Sequence, residues 1–334
     1  MNLVQLIRAG NRSVARVEGD RLRLLRGDAA TSIYALALAA IKHQRSLEEM
    51  VNAATGDDLV DYNEVYERRS EWRLRPSFDH PSDPAHCTVT GTGLTHKASA
   101  ENRAAMHKSV AHEITDSMRM YQMGLEGGSP AAGEIGVQPE WFYKGDGSLL
   151  RAHGETLEIP AYAWDGGEEP EIAGAYVIGP DSKPYRVGLT MGNEFSDHKM
   201  EKKNYLYLAP SKLRNCSIGP ELVIGNADFA HTPGSVAILR NNVAVWQSEI
   251  WSGEKNMSYS VENLEHHHFK YTAHRHPGHC HVHFFGADAF SFGAGVALED
   301  GDTMQVAFTG FGRPLQNYLK ILPHAQELVR VIAL

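Results

Sequence analysis

The sequence predicts an α+β fold that is rich in β-strands, with a small α/β domain preceding a larger one. Short alternating apolar segments separated by Gly or Asn recur along the chain, a pattern typical of strands joined by hairpins. One Ala- and Leu-rich segment over 30–54 predicts a helix. Prolines cluster between residues 76 and 84 and indicate a linker, so we predict domains over 1–80 and 85–334.

Composition argues against several classes of partner. The chain has 334 residues and a net charge of -9 at pH 7, so we expect no basic surface for nucleic acid. No apolar run approaches membrane-spanning length, and the N-terminus lacks the pattern of a signal peptide. Cys87, Cys216 and Cys280 are odd in number and far apart, which indicates thiols in a reducing compartment. We therefore expect a cytoplasmic protein that binds neither nucleic acid nor membranes.

The elements follow from local patterns in chain order. Residues 1–26 alternate as short strands with turns at Gly10-Asn11 and Gly19-Asp20. The helix over 30–54 has Thr31 or Ser32 as a possible cap and Gly56 as its end.

Beyond the linker, residues 86–93 predict a strand that ends in a glycine-rich turn. A helix follows in which Met106, Val110, Ile114 and Met118 recur every four residues. Later segments predict a hairpin over 236–250, centred on Asn241-Asn242, and a closing strand within 301–317.

Three carboxylates flank a predicted hairpin in the middle of the chain. Glu169 and Glu171 stand at i and i+2 ahead of an apolar strand, so their side chains project from one face. Glu194 follows the predicted return strand, beyond a turn near Asp181. Hard oxygen ligands without Cys or His suit Mg²⁺, Mn²⁺ or Ca²⁺. The alternative is that Glu169 and Glu171, with Glu168, form a solvated acidic loop.

Two other candidate residues could have either a functional role or a purely structural one. His96 lies just past the glycine-rich turn and is either a catalyst or a packed histidine. Lys144 follows an aromatic run and either orients a substrate oxygen or covers apolar neighbours from the surface.

Histidines concentrate near the end of the chain, where a zinc site is the obvious hypothesis. The pattern disfavours it, because neither a His-x-x-x-His helix motif nor a Cys-x-x-Cys pair accompanies them. We expect some of these histidines to pack and others to line the site. They are His266, His267, His268, His274, His276, His279, His281 and His283.

An ordered set of motifs over residues 85–320 resembles the fumarylacetoacetate hydrolase superfamily. The set comprises Glu169-x-Glu171 before an apolar strand, Gly188-x-x-x-Gly192-Asn193-Glu194, Lys212 with Cys216-x-x-Gly219-Pro220, and Gly301-Asp302 with Gly310-x-Gly312 and Asn317. The resemblance implies a β-roll of mixed strands around a divalent metal, a small N-terminal domain and a homodimer.

The resemblance also implies roles for individual residues. It places Glu169, Glu171 and Glu194 on the metal carboxylates, the third being one methylene longer than the usual Asp. It makes His96, Lys144 and Lys212 catalytic candidates. Substrate contacts fall to Lys144, Asn193, Phe285 and Gly286. The family pairs the histidine with a glutamate, but Ser99 stands at that position here.

The reaction implied is metal-dependent chemistry on a 2-keto acid, with Mg²⁺ as the expected ion and Mn²⁺ or Ca²⁺ as alternatives. Residues 253–264 resemble the dehydratase branch, which acts on 2-keto-3-deoxy sugar acids from pentose breakdown. We therefore expect a dehydratase of a 2-keto-3-deoxypentonate. The alternatives are a C–C hydrolase of 2,4-diketo acids and a non-catalytic ligand-binding protein.

Overall fold

The computed structural model describes residues 1–107, 114–323 and 327–334. The strands are β1 Asn2–Arg8, β2 Asn11–Glu18, β3 Arg21–Leu25, β4 Thr55–Asp61, β5 Arg73–Leu74, β6 Cys87–Gly93, β7 Glu140–Asp146, β8 Leu150–Arg151, β9 Thr156–Ile159, β10 Pro170–Ile178, β11 Pro184–Asn193, β12 Cys216–Ile218, β13 Leu222–Val223, β14 Thr232–Arg240, β15 Val243–Ser252, β16 Cys280–Phe284, β17 Thr303–Phe308 and β18 Leu315–Ile321. The α-helices are α1 Ile33–His43, α2 Leu47–Ala54, α3 Tyr62–Tyr66, α4 Lys97–His107, α5 Asp116–Gly127, α6 His198–Lys203, α7 Leu208–Lys212 and α8 Val261–Phe269.

The strands form two mixed sheets, which confirms the predicted β-rich α+β class. The larger sheet runs β4-β3-β2-β1-β13-β11-β10-β16-β6-β7, with β5, β8 and β12 attached at its side. The smaller sheet runs β15-β14-β17-β18-β9. At the centre of the large sheet, β10 is antiparallel to β11 and to β16, while β16 is parallel to β6. Both faces of β10 are buried, as expected for a central strand.

The N-terminal hairpins are confirmed, but the predicted single helix is two helices. Gln44 ends α1 in the left-handed conformation with φ of 51°. Ser46 then starts α2 with a capping box in which the Glu49 side chain bonds back to the Ser46 backbone, so a second helix begins there. The cap proposed at Ser32 is confirmed, since its side chain accepts a hydrogen bond from Ala35 N.

Residues before and after the linker share the large sheet. Leu3 in β1 pairs with Leu222 in β13, and Leu3 belongs to the same apolar core as Val177 and Val282. This core is buried beneath α1. The division into 1–80 and 85–334 remains a prediction.

Two further elements differ from the sequence prediction. Met106 lies in α4 and Met118 in α5, so one continuous helix is wrong; Val110 lies outside the described residues. The closing strand is a hairpin of β17 and β18, because Gly310 and Gly312 between them adopt φ of 87° and 85°.

The hairpin of β14 and β15 is confirmed. Asn241 and Asn242 both have positive φ, 52° and 63°, as a two-residue type I′ turn requires. Within the described ranges, no helix has both the length and the apolar character needed to cross a membrane.

Candidate metal centre and active site

The hairpin of β10 and β11 brings the three predicted carboxylates together. Glu171 pairs in register with Gly192, and Glu194 N donates to the carbonyl of Glu169 at 2.9 Å. One ligand oxygen from each of Glu169, Glu171 and Glu194 lies within 4.8 Å of the others, and all three side chains are buried. The solvated acidic loop is therefore wrong. We call these three residues the glutamate triad.

Neighbouring residues hold the hairpin end in place. The side-chain oxygen of Asn193, predicted to contact substrate, accepts from Glu169 N at 3.2 Å. Glu168 points elsewhere and accepts from both the backbone N and the hydroxyl of Ser291, at 2.6 and 2.8 Å. Asn193 therefore orders the backbone of the triad, while Glu168 anchors the segment that follows β16.

Two buried lysines supply positive charge to the triad. Lys212 Nζ lies 2.9 Å from Glu169 Oε2 and 2.7 Å from Glu194 Oε2, and also donates to Ser196 Oγ at 2.9 Å. Lys144 Nζ lies 2.6 Å from Glu194 Oε1 and donates to the carbonyls of Phe195 and Lys212. Lys144 is completely buried, so the alternative of a surface lysine is wrong.

The lysines stabilise the ionised forms of the three glutamates to different degrees. Burial raises the pKa of Glu169, but Lys212 and His198 outweigh it and hold that pKa well below its usual range. Burial and the charges of Glu194 and Glu169 raise the pKa of Glu171 well above its usual range. Burial also raises the pKa of Glu194 despite both lysines. Glu171 thus has the least compensated negative charge in the triad.

A chain of ion pairs extends from the triad to the rim of β7. Lys212 Nζ lies 3.4 Å from Glu201, and Arg103 contacts both Glu201 at 3.3 Å and Glu140 at 3.2 Å. All of these side chains are buried, so each charge depends on its neighbours for compensation.

His198 is a site residue that sequence reasoning missed. Its Nε2 lies 2.9 Å from Glu169 Oε1, and its ring stacks on Phe290 with centroids 4.7 Å apart. Pairing between Gly167 and Ser196 folds the segment after β11 back onto the triad. The sole signal in the sequence was proximity to Glu194, which does not reveal this return of the chain.

His96 is buried at the start of α4 and its Nε2 has no hydrogen-bond partner. Burial lowers the pKa of His96 to about 4, so the imidazole is neutral at physiological pH. Ser99, which stands where the family has a glutamate, donates its hydroxyl to the carbonyl of His96 at 3.0 Å.

Phe285 and Gly286 approach the triad through their backbone. Gly286 N donates to Glu171 Oε2 at 2.7 Å, while the Phe285 ring packs in the core against Phe229. Gly286 has φ of 100°, and a Cβ there would lie 2.1 Å from Thr95 Oγ1. The position therefore requires glycine. The substrate contacts of Asn193, Phe285 and Gly286 remain predictions.

Similar solved structures were found across nearly the whole chain. A 2-keto-3-deoxy-D-arabinonate dehydratase complexed with magnesium and 2,5-dioxopentanoate superposes with a TM-score of 0.69, at 18% identity, over 97% of this chain and 100% of that one. The 5-carboxymethyl-2-hydroxymuconate delta-isomerase from Mycobacterium smegmatis gives 0.56 at 16% identity, over 96% and 100%. The 2-hydroxyhepta-2,4-diene-1,7-dioate isomerase from Mycobacterium marinum gives 0.57 at 15%, over 96% and 98%.

The chain shares the fold of these enzymes. The fold expected from the resemblance to the fumarylacetoacetate hydrolase superfamily is thereby confirmed. No protein-family profile and no curated protein matched the sequence.

Within this fold, the glutamate triad fits a divalent ion. Among the described residues, it is the group of His, Cys, Asp and Glu side chains whose ligand atoms converge closely enough to hold one. The donors are hard oxygens, which suit Mg²⁺, Mn²⁺ or Ca²⁺. Burial and the neighbouring glutamates disfavour the ionised form of Glu171, and a bound dication would favour it.

The histidines form a separate cluster beside β10. His268, His281 and His283 are buried, with His268 Nε2 3.1 Å from His281 Nδ1. Both ring nitrogens of His283 contact threonine hydroxyls, Thr90 at 2.8 Å and Thr92 at 2.9 Å. We call His268, His274, His281 and His283 the histidine cluster. Its members pack together, as predicted for part of the histidine-rich segment.

Proposed function

We propose that the protein is a divalent-metal-dependent enzyme that acts on a 2-keto acid, and that it dehydrates a 2-keto-3-deoxypentonate. The observation that carries this proposal is the buried glutamate triad, in which one ligand oxygen from each residue lies within 4.8 Å of the others. The fold is that of a dehydratase whose structure contains magnesium and 2,5-dioxopentanoate. Assembly as a homodimer remains a prediction.

Each charged residue has a defined task in this proposal. Glu169, Glu171 and Glu194 would hold the ion, which when bound supplies Lewis acidity at the oxygens of the 2-keto acid. Lys212 lies against Glu169 and Glu194, and Lys144 lies against Glu194, so the two lysines fix where these carboxylate oxygens point. Because all five side chains are buried, water is excluded and their electrostatic interactions are stronger than in solvent.

The proton transfers fall to the residues around the triad. His96 is neutral and has a free Nε2, so it is our candidate to accept the C3 proton. The C4–O bond then breaks, the hydroxyl leaves as water with the proton that His96 has accepted, and the electron pair of the C3–H bond becomes the new C3–C4 double bond. Lys144 and Lys212 balance the negative charge that develops meanwhile.

The surroundings of His96 favour dehydration over C–C hydrolysis. A hydrolase must activate a water molecule for attack on a carbonyl, and a carboxylate partner makes a histidine a stronger base for this. Ser99, at the expected glutamate position, contacts the backbone of His96 and not its ring.

Product analysis tests the proposed reaction. The purified protein is incubated with Mg²⁺ and either a 2-keto-3-deoxypentonate or a 2,4-diketo acid, and the products are weighed by mass spectrometry. We expect the pentonate to lose the mass of one water and the diketo acid to remain intact. Cleavage of the diketo acid would instead indicate a hydrolase, and turnover of neither would favour a ligand-binding protein.

A further inference from the structure

We infer that Thr95 is a positioning residue that fixes the tautomer of His96, leaving Nε2 as the proton acceptor. The inference rests on the proposed function for its catalytic meaning. The family pairs this histidine with a carboxylate. Here the partner is the neutral hydroxyl of Thr95, the residue immediately before His96.

The positions of the hydrogens follow from two distances. Thr95 Oγ1 lies 2.8 Å from the carbonyl oxygen of Phe285, which can only accept, so the hydroxyl donates its single proton there. The same Oγ1 lies 2.9 Å from His96 Nδ1. With its proton already engaged, Oγ1 can only accept from Nδ1–H. A neutral imidazole protonated on Nδ1 has an unprotonated Nε2.

The surroundings of His96 leave Nε2 available. Nε2 is buried and has no hydrogen-bond partner. The ring is neutral because burial disfavours its charged form, and the pKa of His96 falls to about 4. Burying a hydrogen-bond acceptor without a donor costs folding free energy. The unpaired Nε2 of His96 therefore points to a donor that a ligand supplies.

One peptide group connects this histidine to the glutamate triad. The carbonyl of Phe285 accepts from Thr95, and the N–H of the same peptide, at Gly286, donates to Glu171 Oε2 at 2.7 Å. The order of contacts is therefore His96, Thr95, the Phe285–Gly286 peptide and Glu171. This relay holds the acceptor nitrogen and one triad carboxylate in a fixed relation.

Nitrogen NMR of the full-length protein labelled with ¹⁵N-histidine tests the tautomer directly. The chain has 18 histidines, so the His96 signals are assigned by comparison with His96→Gln. We expect Nδ1 of His96 to be protonated and Nε2 to show the shift of an unprotonated nitrogen. A wild-type His96 protonated on Nε2 would overturn the inference.

Substitution of Thr95 tests the functional consequence. Thr95→Val removes the acceptor, so we expect the Nδ1–H preference to disappear and kcat to fall roughly tenfold or more, with KM nearly unchanged. Thr95→Ser keeps the hydroxyl and is expected to restore both the tautomer and most of kcat. Thr90→Val is the matched control, since it removes a hydroxyl from His283 in the core and should leave kcat unchanged.

The outcomes separate this inference from the proposed function. The tautomer is read without turnover, so an inactive protein with His96 protonated on Nδ1 would contradict only the reaction. An active dehydratase whose Thr95→Val variant keeps wild-type kcat would contradict only the role of Thr95. If Thr95→Val does not fold, the wild-type spectrum and the Thr95→Ser variant still decide the question.

Discussion

The glutamate triad and the histidine cluster are two groups of titratable side chains at neighbouring strands, with Glu171 on β10 and His281 and His283 on β16, yet their electrostatics differ. Two lysines lie against the triad, while burial and the neighbouring glutamates raise the pKa of Glu171 well above its usual range. In the histidine cluster, burial lowers the pKa of His281 and His283 to about 3, so both rings are neutral. Many potential ligands in one place do not by themselves indicate a metal, whereas buried carboxylates whose ligand oxygens converge fit one.

The largest effect is expected at the glutamate with the least compensated charge. Glu171→Gln removes one negative charge and one strong oxygen donor, so metal affinity and turnover should both fall by more than about 100-fold, beyond the usual effect of a residue that only supports a ligand. Binding is measured by isothermal titration calorimetry with Mn²⁺, and activity by product formation.

Glu221→Gln is the matched control for this variant. Glu221 is equally buried, but its carboxylate accepts from Tyr62 and Asn2, away from the triad. Normal metal content and turnover in Glu171→Gln would show that the triad is not the metal site.

The next largest effect is expected when a countercharge is removed. Lys212→Met leaves Glu169, Glu194 and Glu201 without their shared partner, and breaking a buried pair in this way costs about 3–5 kcal/mol. The free energy of unfolding in urea, measured with EDTA present, reports the loss. An unchanged unfolding midpoint would contradict the account of Lys212 as the charge that holds the triad together.

We expect the histidine cluster to make the folded protein less stable as the pH falls. Burial, with a smaller contribution from His274, lowers the pKa of His283 to about 3 from a normal value of 6.5. Between these values the unfolded chain binds a proton that the folded chain does not, so stability falls as pH decreases through this window. In His283→Gln we expect the slope of the free energy of unfolding against pH to be smaller by about 1.4 kcal/mol per pH unit between these two pKa values.

Urea unfolding at a series of pH values measures this slope. His276→Gln is the control, because His276 is exposed on the same segment and should not alter the slope. Equal slopes for wild type and His283→Gln would mean that His283 is not held neutral by the fold.

The smallest effect is expected at the edge of the histidine cluster. His274 is only partly buried, and its ring is tilted by 35° against that of His268 with centroids 4.7 Å apart. His274→Gln should change the free energy of unfolding by only about 0.5 kcal/mol and leave Mn²⁺ affinity unchanged. A large loss of metal from this variant would show that the metal site extends into the histidine cluster.

Local sequence patterns were sufficient to predict the glutamate triad, because a single hairpin positions its three side chains. The spacing of Glu169 and Glu171 fixes their common direction, and the return strand brings Glu194 to the same end. For the same reason the Asn241-Asn242 turn was predictable, since its conformation depends on the two residues themselves.

Residues that reach the site by tertiary packing were not predictable from these patterns. His198 and Arg103 lie on two different helices, α6 and α4, and Thr95 donates a hydrogen bond to the carbonyl of Phe285, 190 residues away in sequence. The break between α1 and α2 was missed for a different reason. Ser46 and Glu49 form a local capping box, but the apolar periodicity continues across it and conceals the boundary.

An anomalous-difference map from crystals grown with Mn²⁺ tests the central claim most directly. The account predicts one strong peak per chain, within coordination distance of Glu169, Glu171 and Glu194, that disappears in Glu171→Gln. The absence of a peak among these three carboxylates, or a peak within the histidine cluster instead, would contradict it.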